Sequence, residues 1–302
     1  MKNNYKCLLL IIYTFCLSPS MFYGQLKPGT FIEYSNEETS LDMIESYPEY
    51  HSIINWTQGT IVTEYSIPIT YNDLNIGRNI GNLLERLKEK IIQFTIGAVI
   101  QIRVSSIFSF NDFFQNNETI RFKVLSILYS LPIENSVVKN STMFGKVTVP
   151  LFGSNSLTES LYQNILYKEV TNYLTKETTS SQYYDTLIID MIMFPQFKPS
   201  LMPKILDHTG EVVYSIETIE PDVLYNQGPI QFVTSITEAL KHSMIGSRIA
   251  YILPKAVTGN TSSEIILFEE DVLKIFGQQR TLDQLKKGKV ILIIPKEANI
   301  IK

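Results

Sequence analysis

Cysteine is almost missing from this sequence, since its two cysteines both lie near the amino end, at Cys7 and Cys16. Residues 25–302 therefore hold no cysteine, which excludes a disulfide, a thiolate metal ligand and a cysteine nucleophile there. Histidine is also scarce, and its three positions lie far apart, at His51, His208 and His242. Zinc sites use histidines at short, regular spacing. We therefore expect no metal site.

The short motifs that mark common active sites are absent too. The sequence has no Gly-x-Ser-x-Gly elbow and no Gly-x-Gly-x-x-Gly loop, and Gly288-Lys289 stands without the rest of a phosphate-binding loop. The sequence has 26 lysines and arginines and 30 acidic residues, which gives a net charge of −4. A nucleic-acid partner would need a basic face. We expect no cofactor, no catalysis and no nucleic-acid partner.

Long hydrophobic runs are absent except for one at the amino end. Lys2 and Lys6 precede an apolar run over residues 7–17, and small or polar residues follow it. This layout is typical of a secretory signal, and the run is shorter than the roughly 20 residues that span a bilayer. We expect a signal peptide over residues 1–24, cut after Gly24 or, alternatively, after Ser20.

The predicted signal peptide gives an expected location. The protein should be exported, with the periplasm favoured and the outer-envelope surface as the alternative. Lipidation is less favoured, because Cys16 follows Phe15 and Cys7 follows Lys6, whereas a lipidated cysteine follows a small residue. No other apolar run approaches membrane-spanning length, so the mature chain should have no transmembrane segment.

The remaining composition is that of a globular protein, with 44% hydrophobic and 19% charged residues. Residues 25–51 are polar and predict an extended arm. Two mixed domains should follow, over residues 52–176 and 183–296, joined by the polar segment 175–182. We expect the α+β class, each domain with a largely antiparallel sheet packed by helices, and the second as a mixed domain of α/β type.

The first domain should begin with paired strands around Trp56. A long amphipathic helix should follow, capped by Asn72 or Asp73, stopping near Gly97 and packing closely on a sheet through its glycines. The pattern then predicts a strand over Val99–Phe110, a helix ended by Pro132, a hairpin up to Leu151 with its turn near Gly145, and a helix from Ser156 to Leu174.

The second domain should begin with an apolar strand, Thr186–Met193, that Asp190 interrupts. Four prolines then exclude a helix, at Pro195, Pro199, Pro203 and Pro221. A hairpin should turn at Asp207–Gly210, and helices should end near Gly246 and Gly277. Further strands are predicted over 250–253, 264–268 and 289–294, the last of them buried on both faces.

Asp190 is the one carboxylate whose position in an apolar strand suggests a catalytic role. A buried carboxylate without a partner is costly, so it should be paired or lie at a strand end. We favour a structural pair with Lys198 or Lys204 over an acid or base role. An exported hydrolase with its site near Asp190 nevertheless stays an alternative.

Several short motifs of the second half occur in a fixed order. They are Asp190, Lys198-Pro199, Pro203 with Ile205-Leu206, Asp207 with Gly210, and Val213-Tyr214. With them, the segment from Tyr184 to Pro295 resembles the carboxyl-terminal half of a family of exported proteins from spirochaetes and other Gram-negative bacteria. The sequence departs from that family after Asp190, where Met191–Phe194 replaces arginine and glycine.

The first half carries Trp56 and Gly59 in Asn55-Trp56-Thr57-Gln58-Gly59. With the helices and hairpin that follow, it is similar to LPP-type surface lipoproteins and to the amino-terminal domain of flagellar assembly protein T. The motif residues of both halves should have structural or contact roles. The resemblance implies a non-catalytic envelope protein that binds, positions or assembles, associated with the envelope or with flagellar assembly. Its partners would be envelope proteins, and its oligomeric state stays open. A small-molecule or glycan-binding module is a further alternative.

Overall fold

The structure is a computed structural model that describes residues 50–69, 79–139, 141–162, 167–168 and 182–301. All of these belong to one unit of the chain, residues 47–302. The predicted signal peptide 1–24, nearly all of the arm 25–51, the helix cap at Asn72 or Asp73 and the segment 175–181 lie outside the described residues.

The described residues form strands and helices in the proportions of an α+β protein, which confirms the predicted class. The strands are β1 (Tyr50–Asn55), β2 (Thr60–Pro68), β3 (Glu134–Lys139), β4 (Thr142–Pro150), β5 (Thr186–Asp190), β6 (Lys204–Leu206), β7 (Val212–Tyr214), β8 (Gln231–Val233), β9 (Ile249–Ile252), β10 (Ala256–Thr258), β11 (Glu264–Ile266), β12 (Val290–Ile293) and β13 (Ile300–Ile301). The helices are α1 (Asn79–Val99), α2 (Phe110–Asn116), α3 (Glu118–Ser130), α4 (Glu159–Tyr162), α5 (Pro221–Gln227), α6 (Ile236–Lys241), α7 (Glu269–Phe276), α8 (Gln279–Leu285) and α9 (Lys296–Asn299). A 3₁₀ turn covers Ile216–Thr218.

The first sheet is antiparallel, in the order β13-β1-β2-β4-β3. Its long strand β4 alternates buried and partly exposed residues, and α1 covers the buried face with Leu83, Leu87 and Ile91. The long helix and the hairpin are thus confirmed, although α1 runs two residues past Gly97 and Gly145 lies within β4.

Close packing between α1 and the sheet comes from the strand and not from Gly81, while Gly77 lies outside the described residues. Gly81 has open space where a Cβ would lie, whereas a Cβ on Gly145 would meet Leu87 of α1 at 2.8 Å. The glycine therefore lets α1 approach β4. The expectation that Gly81 serves this purpose is wrong.

The predicted strand Val99–Phe110 is also wrong. Its first residue ends α1, its last residue begins α2, and between them lies a bend in which Val104 and Ser105 both donate to the carbonyl of Phe108. Ser105 Oγ accepts from Phe108 N as well, at 3.1 Å. The hydroxyl thus stabilises a turn, which outweighs the apolar alternation of the segment.

The second sheet is parallel throughout, in the order β8-β12-β5-β9. One face joins the main core, and Ala239 of α6 packs on the other against Ile188, Val233, Ile291 and Ile293. The largely antiparallel sheet expected in this half is therefore wrong for these strands. Burial of all four residues of β12 confirms the prediction of a strand buried on both faces, which is typical of parallel sheets.

The third sheet is mixed, in the order β10-β11-β6-β7, and contains the predicted hairpin of β6 and β7. The segment from Met191 to Pro203 has no helix, as its prolines predicted. Pro221, however, opens α5. A proline suits a first helical position, because the amide that it lacks would have no partner inside the helix.

The two predicted halves share one hydrophobic core in the described part of the chain. Trp56 is 1% exposed, and its ring meets Phe232 of the parallel sheet edge to face at 5.5 Å between centroids. Strand β13, near the end of the sequence, pairs with β1 near the start of the described chain. The boundary near residue 180 stays a prediction.

Asn299 fastens the turn between β1 and β2. Its Oδ1 accepts from Thr57 N at 2.9 Å, its Nδ2 donates to Thr57 Oγ1 at 3.3 Å, and its carbonyl accepts from Trp56 N at 3.2 Å. The two side-chain bonds join residues that are 242 positions apart in sequence. They hold β13 at the edge of the first sheet.

We predict that Asn299→Ala lowers the free energy of unfolding by about 1–2 kcal/mol, because it removes two partly buried hydrogen bonds. Urea denaturation measures the change. The control is Asn116→Ala, whose side-chain bond to the carbonyl of Asp112 is exposed, and its effect should stay within about 0.5 kcal/mol. Equal effects of the two variants would contradict the role of Asn299.

Candidate functional site

The motif residues of the first half form a structural turn. Trp56 and Gly59 occupy the turn between β1 and β2, where Gly59 N donates to the carbonyl of Trp56. Gly59 has a φ of +62°, a left-handed conformation that glycine adopts without strain. The buried indole and this turn leave neither residue available to a ligand.

Most motif residues of the second half are structural as well. Lys198 N donates to the carbonyl of Ser262, and the prolines at 199 and 203 are buried within the same connection. Tyr214 is fully buried and donates to the carbonyl of Pro229 at 2.6 Å. Burial raises the pKa of its phenol well above the ordinary value.

Asp207 shapes the hairpin turn between β6 and β7. It is 4% exposed, and its Oδ1 accepts from Thr209 N, Thr209 Oγ1 and Glu211 N at 2.7–2.8 Å. Gly210 supports the turn with a φ of +97°. The carboxylate is thus occupied by local backbone and hydroxyl donors, which is the role of aspartate in such turns.

Asp190 differs, because it lies at the carboxyl end of β5 and is partly exposed. Its Oδ1 accepts from Ile192 N at 2.9 Å, and its Oδ2 accepts from the hydroxyl of Tyr251 in the neighbouring strand β9. The prediction that Asp190 pairs with Lys198 or Lys204 is wrong, because no ion pair among the described residues includes Asp190. The carboxylate is held by a phenol and a backbone amide.

The bond to Asp190 raises the pKa of Tyr251 to about 12. Hydrogen bonding to the carboxylate is the largest cause, and burial and the negative charge of Asp190 act in the same direction. The phenol therefore stays protonated over the physiological range and acts as a donor. Sequence patterns gave no sign of this pair, because the two residues are 61 positions apart.

Exposed apolar side chains surround the pair. Met193 is 77% exposed, and Ile192, Tyr251 and Leu253 are each about half exposed. The parallel register ends with Ile189 opposite Ile252, and Asp190 and Leu253 are the next residues of the two strands' chains. We name this set (Asp190, Ile192, Met193, Tyr251 and Leu253) the carboxyl-end surface. Ligands of open sheets with parallel strands bind at this end of the strands.

A second concave region lies beside α5. Two adjoining depressions of about 540 and 260 Å³ share Tyr167 and Pro221. Tyr162 and Tyr225 line the smaller one, and Lys286 lines the larger one. Lys168, the residue after Tyr167, forms an ion pair with Glu217 at 2.7 Å. We name these residues (Tyr162, Tyr167, Pro221, Tyr225 and Lys286) the tyrosine groove.

Neither a metal-ligand cluster nor a bilayer-spanning helix occurs within the described ranges. No cluster of three histidine, cysteine or acidic residues there is arranged to hold a metal ion. None of the helices described combines the length and the apolarity needed to cross a bilayer.

Comparison with known proteins gives a match for the second half of the chain. Residues 186–296 match the family model described as Treponema pallidum Tp0624, second domain. The matched range contains the parallel and mixed sheets, from β5 to β12. It supports the predicted resemblance of this half to a spirochaete family. No curated protein matches the chain. The resemblance of the first half to LPP-type lipoproteins and flagellar assembly protein T stays a prediction.

We predict that Asp190→Asn lowers the pKa of Tyr251 from about 12 toward its ordinary value of 10.0, because the amide carries no charge. The raised pKa means that the bond stabilises the folded state fully below about pH 10, and that this stabilisation is lost as the pH rises to about 12. NMR of ring-labelled tyrosine follows the titration, with Tyr251→Phe to assign the signal.

The matched control is Asp185→Asn, at the amino end of the same strand region, where the carboxylate accepts from Ser247 and Arg248. This variant should leave the titration of Tyr251 unchanged. An unaltered pKa of Tyr251 in Asp190→Asn would show that the carboxylate does not set it.

Proposed function

We propose that this chain is an exported, non-catalytic interaction protein of the cell envelope. Three observations support the proposal: the leader-like amino end, the match of residues 186–296 to a treponemal domain, and the carboxyl-end surface. The periplasm is the favoured location. The resemblance of the first half to LPP-type lipoproteins and flagellar assembly protein T supports an association with envelope or flagellar assembly.

The observation that carries the proposal is the state of Asp190. Both of its oxygens accept hydrogen bonds from the protein, and the side chains around it are exposed and apolar. An occupied carboxylate in an apolar surface suits a protein contact, where burying each large apolar side chain gains about 1.5–3 kcal/mol. Partners would therefore bind through Met193 and its neighbours.

A hydrolase with its site at Asp190 is supported less well. The pair does bring two ionisable groups together, as a general acid and base require. Tyr251, however, has a pKa near 12 and cannot act as a base near neutral pH. The depressions beside α5 are lined by other residues.

The experiment is crosslinking and co-purification from native envelopes. We predict that Met193→Glu with Leu253→Glu reduces recovery of a copurified assembly at least about tenfold, because two charges replace apolar contacts. The control is Ile107→Glu, which changes an exposed apolar residue in the bend between α1 and α2.

Three results would count against the proposal. Recovery of the wild type as a lone monomer would contradict an assembly role. Equal losses in the double variant and in Ile107→Glu would move the contact away from the carboxyl-end surface. A hydrolytic activity on envelope polymers that Asp190→Asn abolishes would favour the enzyme.

The tyrosine groove favours a second candidate function, a glycan-binding module. Tyr167 and Tyr225 offer aromatic surfaces next to Pro221, and Lys286 adds a positive charge. Aromatic rings with polar tips are suited to sugar rings, which have an apolar face and hydroxyl edges.

For this candidate, Tyr167→Ala should weaken binding of soluble peptidoglycan fragments about tenfold or more in calorimetric titration, because a partly exposed ring contact is lost. Tyr129→Ala, which removes an exposed tyrosine from α3, is the control and should bind as the wild type does. Absence of binding by the wild type would exclude these glycans as ligands.

A further inference from the structure

The strand β3 is an outer edge of the first sheet, where β4 is its neighbour. Its two central apolar residues, Val137 and Val138, are 55% and 57% exposed. Valines at this exposure on an edge strand favour pairing with another strand, because no other strand of the described residues pairs with the outer side of β3.

The charges of β3 are self-complementary. The strand reads Glu-Asn-Ser-Val-Val-Lys, with Glu134 at its start and Lys139 at its end. The pairing of β3 with β4 shifts by one residue between Glu134 and Val137, so Glu134, Val137 and Lys139 lie on one face of the strand. If two copies pair in antiparallel fashion about Val137, Glu134 of each copy lies opposite Lys139 of the other. A parallel arrangement in register would instead place like charges together.

Glu134 is available for such a contact. It lies near Lys146 at 3.6 Å, but its side chain is 40% exposed. The helix α3, which leads into β3, also exposes Phe122 and Tyr129, seven residues apart and therefore on one face. The exposed valines and aromatics thus lie on two consecutive elements of the chain.

We propose that β3 docks against β3 of a second copy of this chain, so that two five-stranded sheets form one continuous sheet of ten strands. The partner is a second copy and not an unrelated strand, because the acid-to-base order of β3 complements its own inverted copy. The symmetry makes both ion pairs equivalent, as in an isologous dimer. This contact uses a surface separate from the carboxyl-end surface and does not rest on the proposed function.

The test is sedimentation velocity of the full chain, purified as the cell processes it, over a concentration series. The wild type should dimerise. Glu134→Lys and Lys139→Glu should each raise the dimer dissociation constant about tenfold or more, because two opposite-charge pairs become two like-charge pairs. The double variant E134K/K139E restores opposite pairs and should dimerise as the wild type does.

Mixing the two single variants gives the sharpest result. Glu134→Lys in one copy then faces Lys139→Glu in the other, and Lys139 faces Glu134, so a heterodimer should form where neither variant dimerises alone. Circular dichroism checks that each variant is folded, since Glu134→Lys also faces Lys146. The control is Lys296→Glu, beside the opposite edge strand β13, which should dimerise normally.

The proposal is overturned by a wild type that stays monomeric throughout the series. It is also overturned if folded single variants dimerise as the wild type does, or if their mixture gives no heterodimer. A Val138→Lys variant adds a readout that is independent of Glu134 and should abolish dimerisation, because it places an unpaired charge at the centre of the joined strands.

Discussion

The hydrogen bonds between Asn299 and the turn at Trp56 and Thr57 join the carboxyl end of the described chain to its first hairpin. They fix β13 beside β1 and so complete the first sheet with residues that are far away in sequence. The turn also fixes Trp56, whose buried ring packs on Phe232 of the parallel sheet. The order of the described core therefore depends on a contact between its two ends, and the turn from Trp56 to Gly59 has a structural role.

The parallel sheet combines buried central strands with an exposed apolar surface at its carboxyl end. Its central strands are buried on both faces, and at the edge strand β9 the apolar side chains emerge next to Asp190. Tyr251 and the amide of Ile192 occupy the carboxylate, so its charge is held in place and an isolated buried carboxylate is avoided. The surface that results is largely apolar, and it lies at the end of the strands where open sheets with parallel strands usually bind their ligands.

The two exposed edges differ in the partner that their chemistry suits. The edge at β9 presents large apolar residues around a satisfied carboxylate, which favours a complementary apolar surface of another protein. The edge at β3 carries an acid and a base in an order that complements its own inverted copy. The tyrosine groove differs from both, since it is concave and its lining combines aromatic rings with polar groups, as small-ligand sites do.

The sequence by itself determined the elements whose signal is local and repeated. The helix α1 follows from leucines and isoleucines at helical spacing, α7 from its acidic start and Gly277, and β12 from an unbroken apolar run. The tertiary structure decided the rest, because the deciding contacts are distant in sequence. Ser105 bends a segment that alternates like a strand, Tyr251 reaches Asp190 from a neighbouring strand, and β13 pairs with β1. Local patterns cannot encode which strand becomes a neighbour, since pairing is chosen by the packing of the whole core.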